Sequence, residues 1–260
     1  MGVSRSLSVR GLILHELGMS LRRPGLWVAY GLLFVFHMVV LFAPPPIGEW
    51  VKGETISRAM VWPAAGRFLA ALNVFFPLIA GILTADRLQR DARLGMRELQ
   101  ESTPLSPAAY VLTKYAGVLA SVLLPLVVWA SAIAVLMAAT GHAPWSFVPA
   151  TLSAFLAITV PAFAFVVAFS IACPLVLPLP VYQVLFIGYW LWANFVPPQL
   201  FPTLNGTLVT PSGMFVLALM KGPSQAAALD AALNVGLLAA CTLGVLALLT
   251  VVLARRARLA

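Results

Sequence analysis

A long stretch in the middle of the chain carries no charge. Between Lys114 and Lys221 the sequence contains no Lys, Arg, Asp or Glu. A soluble domain covers itself with charged side chains, which make up roughly a quarter of its residues, whereas this chain has 9% charged and 62% hydrophobic residues. Its solvent is therefore lipid. We expect an all-α integral membrane protein, because a helix satisfies its backbone hydrogen bonds within the spanning segment.

Six apolar stretches approach the length of about 20 residues that a spanning helix needs. The whole chain is expected to form a single transmembrane domain, since no stretch is left for a separate soluble domain. The outer connection, residues 202–230, contains an apolar run too short to cross, so it is predicted to be re-entrant or interfacial. The predicted spans cover residues 26–42, 68–85, 115–140, 147–174, 181–201 and 231–254.

The basic residues predict the orientation, because Lys and Arg accumulate in cytoplasmic loops. With the N-terminus in the cytoplasm, most of the 16 Lys and Arg residues lie inside. The prediction is a multi-pass protein of the cell membrane with both termini in the cytoplasm. This clustering at the ends of apolar runs argues against a nucleic-acid surface, despite the net charge of +8. The outer side holds only Lys52, Arg58, Arg67 and Lys221.

The segment before the first span, residues 5–22, has the pattern of an amphipathic elbow helix. Its leucines recur every seven residues along one face, while polar side chains, among them His15 and Glu16, run along another. Arg10 falls near the apolar side and has to extend its side chain toward water. Such a helix is expected to lie in the membrane interface, before Pro24 turns the chain into the first span.

The cytoplasmic connection after the second span, residues 86–107, has the most informative pattern. Good helix formers with charges of both signs fill residues 86–101. Pro104 ends this helix, because the residue before a proline avoids the α conformation. Ser106 and Pro107 then have the pattern of an N-cap and a first helical residue. The sequence therefore predicts a helix, a sharp turn and a second helix just below the membrane.

The same connection contains an ordered set of residue types: an acidic residue, a glycine, a Glu-Leu pair, a Pro-Leu-Ser turn and a lysine before the third span. These are Asp91, Gly95, Glu98-Leu99, Pro104-Leu105-Ser106 and Lys114. The order resembles the first cytoplasmic loop of ABC-2 type transporter permeases. The resemblance covers the whole chain in architecture, but in sequence it is specific only over residues 86–115. Met96 stands where the family often has Thr, and residues 43–66 show no family pattern.

The resemblance implies the permease subunit of an ATP-driven ABC transporter, with an exporter as the expected direction. The loop would be a coupling helix that docks on a separate nucleotide-binding ATPase subunit, and that subunit would bind ATP and Mg. A second permease subunit, identical or homologous, would face the first across the substrate path. The residues implied in the contact with the ATPase subunit are Asp91, Arg97, Glu98, Leu99, Thr103 and Pro104.

The chain shows no motif for chemistry of its own, so we expect neither a catalytic nor a metal site. It contains no Gly-Lys pair and hence no P-loop, and no zinc-binding or nucleophile-elbow pattern. Two other functions stay open. One is a membrane anchor or sensor subunit that transports nothing. The other is an ion-coupled carrier, although such carriers place ionisable groups inside their spans and only His37 qualifies here.

The few polar residues of the spans suggest where a substrate path lies. Asn73 in the second span and Asn194 in the fifth are candidates for its lining, although an amide in lipid more often bridges two helices. A path with so few polar groups favours an apolar or amphipathic cargo. In the sixth span, Gly236, Ala240 and Gly244 form a stripe that permits close helix packing, within one subunit or between two.

Overall fold

The structure, a computed structural model, describes residues 9–42, 55–93 and 106–259. These residues form helices joined by turns and by one longer irregular segment, residues 196–213, and none of them lies in a β-strand. The helices are α1 (Val9–Leu21), α2 (Pro24–Phe42), α3 (Val61–Thr84), α4 (Arg87–Arg93), α5 (Pro107–Ala139), α6 (Phe147–Ala154), α7 (Val160–Ala172), α8 (Leu179–Phe195), α9 (Met214–Lys221) and α10 (Gln225–Leu259).

Three short turns of 3-10 or π type lie at the ends of these helices. A 3-10 turn, Arg58–Met60, leads into α3, and another, Cys173–Leu175, follows α7. A π turn, Phe155–Thr159, joins α6 to α7 without a break. Pro161 stands two residues after the end of this turn. It lacks the N–H that an α-helix requires and its ring clashes with the preceding turn, which accounts for a widened helix at this point.

Four apolar helical segments among the described residues are long enough to cross a membrane, which confirms an all-helical chain with several membrane-length helices. A shorter apolar helix covers Pro24–Val39. α8 has 17 residues and ends at Phe195 rather than at the predicted residue 201, because prolines follow at positions 197 and 198. The four long segments are Arg58–Asp91, Pro107–Ala139, Phe147–Leu175 and Gln225–Arg255.

The helix starts test the local sequence signals. α5 begins as predicted: the Ser106 hydroxyl accepts a hydrogen bond from the Ala109 N–H at 3.2 Å, and Pro107 is the first helical residue. α3 begins at Val61, seven residues before the predicted residue 68. Arg67 therefore lies inside this helix and not in a loop before it. No helix-breaking pattern separates Arg67 from the apolar span, so the helix extends through it.

The core lies where α3 packs against α6, α7 and α9. Leu69 and Leu72 of α3 and Phe163 of α7 are fully buried in it. A second, smaller cluster surrounds α8, where Trp190 is fully buried and its Nε1 donates to the Val74 carbonyl of α3 at 2.8 Å. These contacts place α3 at the centre of the helix bundle.

Contacts between the turns define one end of the bundle. The Ile56 N–H donates to the His142 carbonyl at 2.8 Å, which joins the start of α3 to the turn after α5. At the start of α10, the Asn234 amide donates to the Leu208 carbonyl at 2.7 Å and to that of Thr210 at 3.1 Å. The turn-rich segment before α9 is thus fixed to α10, and α9 itself packs beside α3.

The small-residue stripe of α10 is not used for packing within the described chain. Gly236 and Ala240 are exposed, and so is Gly244. A side chain added at Gly236 or Gly244 would meet no atom within 4 Å. Of the two alternatives, close packing within one subunit is therefore not seen for these residues in the described part of the chain. Packing between two subunits stays a prediction.

Candidate functional site

Helix α1 packs along the first half of α5, and this is the most extensive contact between two helices of the described chain. A glycine makes the close approach possible. A Cβ atom at Gly117 would lie 2.6 Å from the Cβ of Glu16 and 3.1 Å from the Ile13 carbonyl. The absence of a side chain at Gly117 therefore allows α1 to bring Glu16 against α5.

Glu16 is buried between α4 and α5 and is paired on both sides. Its Oε2 lies 2.8 Å from Lys114 Nζ, and its Oε1 lies 3.5 Å from Arg87 Nη1. The three residues are only 5%, 7% and 6% exposed, in the order Glu16, Lys114, Arg87. Burying one of these charges alone would cost several kcal/mol, so the three side chains depend on one another.

Asp91 of α4 contacts two residues of α5, so it joins the two helices on either side of the cytoplasmic connection. Its Oδ2 accepts a hydrogen bond from the Tyr110 hydroxyl at 2.7 Å and lies 2.5 Å from Lys114 Nζ. Asp91 and Tyr110 stand on opposite sides of residues 94–105. The two ends of the connection are therefore tied to each other as well as to α1.

A fourth ion pair adds the turn between α1 and α2 to this arrangement. Arg23 Nη1 lies 2.9 Å from Asp86 Oδ1, and both side chains are partly exposed. With this pair the cluster contains three acidic and three basic side chains, so its formal charges cancel. We call it the base network; its members are Glu16, Arg23, Asp86, Arg87, Asp91 and Lys114.

Burial affects the pKa of Arg87, which lies beyond the end of α3 and outside the predicted span 68–85. The pKa of Arg87 is lowered to about 10, first by desolvation and then by the nearby positive charge of Arg23. The carboxylates of Glu16 and Asp86 oppose this shift. The guanidinium thus stays protonated at neutral pH. It remains a cation that needs the Glu16 carboxylate beside it.

One hydrogen bond extends the site toward another pair of helices. Gln89 of α4 donates from its Nε2 to the Pro174 carbonyl at 2.6 Å. Pro174 lies in the 3-10 turn between α7 and α8. A displacement of α4 would therefore act on three regions at once: α1, the start of α5 and the connection from α7 to α8.

Of the residues predicted to contact an ATPase subunit, only Asp91 lies in the described chain, and its carboxylate is bonded to Tyr110 and Lys114. Glu16 and Arg87 were not among the predicted site residues. A signal for Glu16 exists, because it is the first acidic residue of the chain and the next is Glu49. The remaining predicted residues, Arg97, Glu98, Leu99, Thr103 and Pro104, lie outside the described residues.

The two asparagines predicted to line a substrate path both make hydrogen bonds to backbone carbonyls. Asn73 is 1% exposed and donates from Nδ2 to the Ile158 carbonyl of the π turn at 3.1 Å, so it bridges α3 to the rod formed by α6 and α7. Asn194 donates to the Trp190 carbonyl of its own helix at 2.9 Å. Lining of a substrate path stays a prediction for both.

We expect Asn73→Ala to lower the stability of the protein, because it leaves the Ile158 carbonyl without its partner between two helices. Loss of one partner of a buried hydrogen bond costs about 1–3 kcal/mol. Thermal unfolding of the detergent-purified chain measures the change. Asn194→Ala is the matched control, since it removes only a bond within one helix. Equal melting temperatures for the two variants would contradict the bridging role of Asn73.

No model of a protein family, no curated protein and no solved structure matches the chain. The proposed function therefore rests on the residues of this chain and on their contacts.

Proposed function

We propose that the chain is the permease subunit of an ATP-driven transporter of the ABC-2 type, an exporter of an apolar or amphipathic substrate. In this proposal α1 is the elbow helix, α4 begins the coupling loop, and α2 and α8 complete a set of six spans. A separate ATPase subunit binds and hydrolyses ATP with Mg, and a second permease subunit completes the substrate path. The termini lie in the cytoplasm.

The observation that carries the proposal is the base network. A loop that transmits force from a docked subunit has to be rigid where it joins the spanning helices, and ion pairs in a water-poor site supply such rigidity. Asp91, Tyr110 and Lys114 hold the two ends of the connection together, and Glu16 fixes them to α1. A loosely tethered loop would move without moving the spans.

A route from the loop into the bundle supports the same proposal. α4 follows α3 after a two-residue turn, and Gln89 bonds it to the turn between α7 and α8. When the partner subunits close on ATP, displacement of the coupling loop would be passed to α3 along the chain and to α8 through Gln89. Rearrangement of α2, α3 and α8 across the interface between two permeases would then open the path.

We expect the full chain, purified in mild detergent from its native membrane, to bring along a soluble subunit with a P-loop. Glu98→Arg and Pro104→Ala should reduce the recovery of this subunit, because the first reverses a charge and the second relaxes the turn of the loop. Mass spectrometry of the purified complexes measures the recovery and also shows whether a second permease is present. Asp230→Arg, which makes the same type of charge reversal at the exposed start of α10, is the matched control.

Recovery of no ATPase in several detergents, with loop variants that behave like the wild type, would overturn the proposal. An ATPase that co-purifies but is never stimulated by apolar substrates would favour an anchor or sensor subunit. ATP-independent flux that follows a proton gradient and is lost in His37→Ala would favour the ion-coupled carrier. His37 is buried beside Phe68, with ring centroids 5.6 Å apart.

A further inference from the structure

The side of α1 that faces away from α5 carries two arginines and an exposed leucine. With about 100° of rotation per residue, Arg10 and Leu14 of α1, and Arg22 directly after it, all lie on the half of the helix surface opposite Glu16. All three are exposed, and Leu14 is exposed by 55%. We call these three residues the outward face of α1.

The two arginines of the outward face have no carboxylate partner among the described residues. The nearby acids are already used, since Glu16 pairs with Lys114 and Arg87. Asp86 pairs with Arg23, and Asp91 with Lys114, in the same network. The base network is neutral, so within the part of the chain that the structure describes nothing compensates the positive charge of Arg10 and Arg22.

We propose that the outward face of α1 binds the headgroups of anionic lipids. Arg10 and Arg22 are about 18 Å apart along the helix axis, which is too far for both to hold one phosphate group. A plane of anionic headgroups offers a partner to each. Leu14, between them, is placed to enter the acyl region below. A helix that combines cations with an exposed apolar side chain has the chemistry of a membrane-surface helix.

The start of α2 supplies an independent observation in favour of lipid. Trp27 is 51% exposed, and its Nε1 donates to the Leu21 carbonyl at the end of α1 at 2.6 Å. An indole that is apolar on its exposed side and bonded at its polar edge suits the boundary between headgroups and acyl chains. It would lie at the same level as the outward face. An acidic protein surface would have no comparable use for Leu14 and Trp27.

The test measures the affinity of the purified full chain for a short-chain phosphatidylglycerol, followed by the rise in melting temperature during a titration. We expect a saturable rise with phosphatidylglycerol and none with the matching phosphatidylcholine or with inorganic phosphate. Because each arginine near an anionic surface contributes about a fivefold change in affinity, Arg10→Gln with Arg22→Gln should raise the half-maximal concentration about 30-fold.

A matched pair of substitutions distinguishes an effect of the outward face from an effect of the protein's net charge. Arg58→Gln with Lys221→Gln also removes two exposed cations but should leave the half-maximal concentration unchanged. Arg10→Lys with Arg22→Lys should retain binding and shows that folding tolerates changes at these positions. An equal effect of the two Gln pairs, or an equal response to inorganic phosphate, would overturn the proposal. The proposal would also be overturned if the outward face were protected from chemical labelling only when a partner protein is bound.

Discussion

Replacing Glu16 by Gln is expected to destabilise the protein by about 3 kcal/mol or more. The amide retains the shape of the side chain but removes its charge, so the buried guanidinium of Arg87 loses its ion-pair partner and Lys114 keeps only Asp91. Breaking a buried ion pair from one side costs about 3–5 kcal/mol, because the other charge remains in a water-poor site. For a chain of this size, the melting temperature should fall by at least about 6 °C.

Asp230→Asn is the control for this experiment, because it makes the equivalent change at an exposed acid of α10. Exposed substitutions of this kind change stability by about 0.5 kcal/mol or less. Both variants are compared with the wild type in the same detergent and at neutral pH. Equal melting temperatures for Glu16→Gln and Asp230→Asn would show that charge does not hold the base network together. They would also contradict its role in bracing the loop.

Local chemistry explains why much of the fold could be predicted. The N-cap at Ser106 was predicted because it depends on neighbouring residues only. The end of α8 before Pro197 also follows from neighbouring residues, but the predicted span ran past it to residue 201. The predicted span began at residue 68, just after Arg67, but the helix that contains it begins at Val61. A helix in lipid can continue past an arginine when nothing breaks its backbone pattern, so charge alone does not mark a boundary.

The candidate site could be predicted only in part, because its contacts join distant parts of the chain. Glu16 and Lys114 are separated by 98 positions, and no local pattern pairs them. The leucine repeat also could not predict which side of α1 faces the protein. The leucine repeat identified an apolar side, but it did not show that Glu16 and Ser20 are the residues turned to the protein. In lipid, polar side chains face the helix bundle, which reverses the rule for soluble helices.

Gly117→Val is expected to destabilise the protein by up to about 3 kcal/mol. The new Cβ would lie 2.6 Å from the Cβ of Glu16 and 3.1 Å from the Ile13 carbonyl, and that carbonyl belongs to the backbone of α1. Forcing atoms into a packed contact costs about 1–3 kcal/mol, and α1 has to move away to relieve it. Gly236→Val in α10 is the matched control, since no atom lies within 4 Å of that position. Thermal unfolding of the two variants measures the difference.

The combination of Glu16→Gln with Gly117→Val tests whether the docking of α1 and the base network are one structural unit. Changes at residues in contact do not add, whereas changes at independent sites add within about 0.5 kcal/mol. Once valine has displaced α1, the Glu16 side chain has already left Lys114, so its replacement should cost little more. Additive losses would mean that the network survives without the close contact at Gly117. A sub-additive loss would mean that α1 and the base of the loop respond to a displacement together.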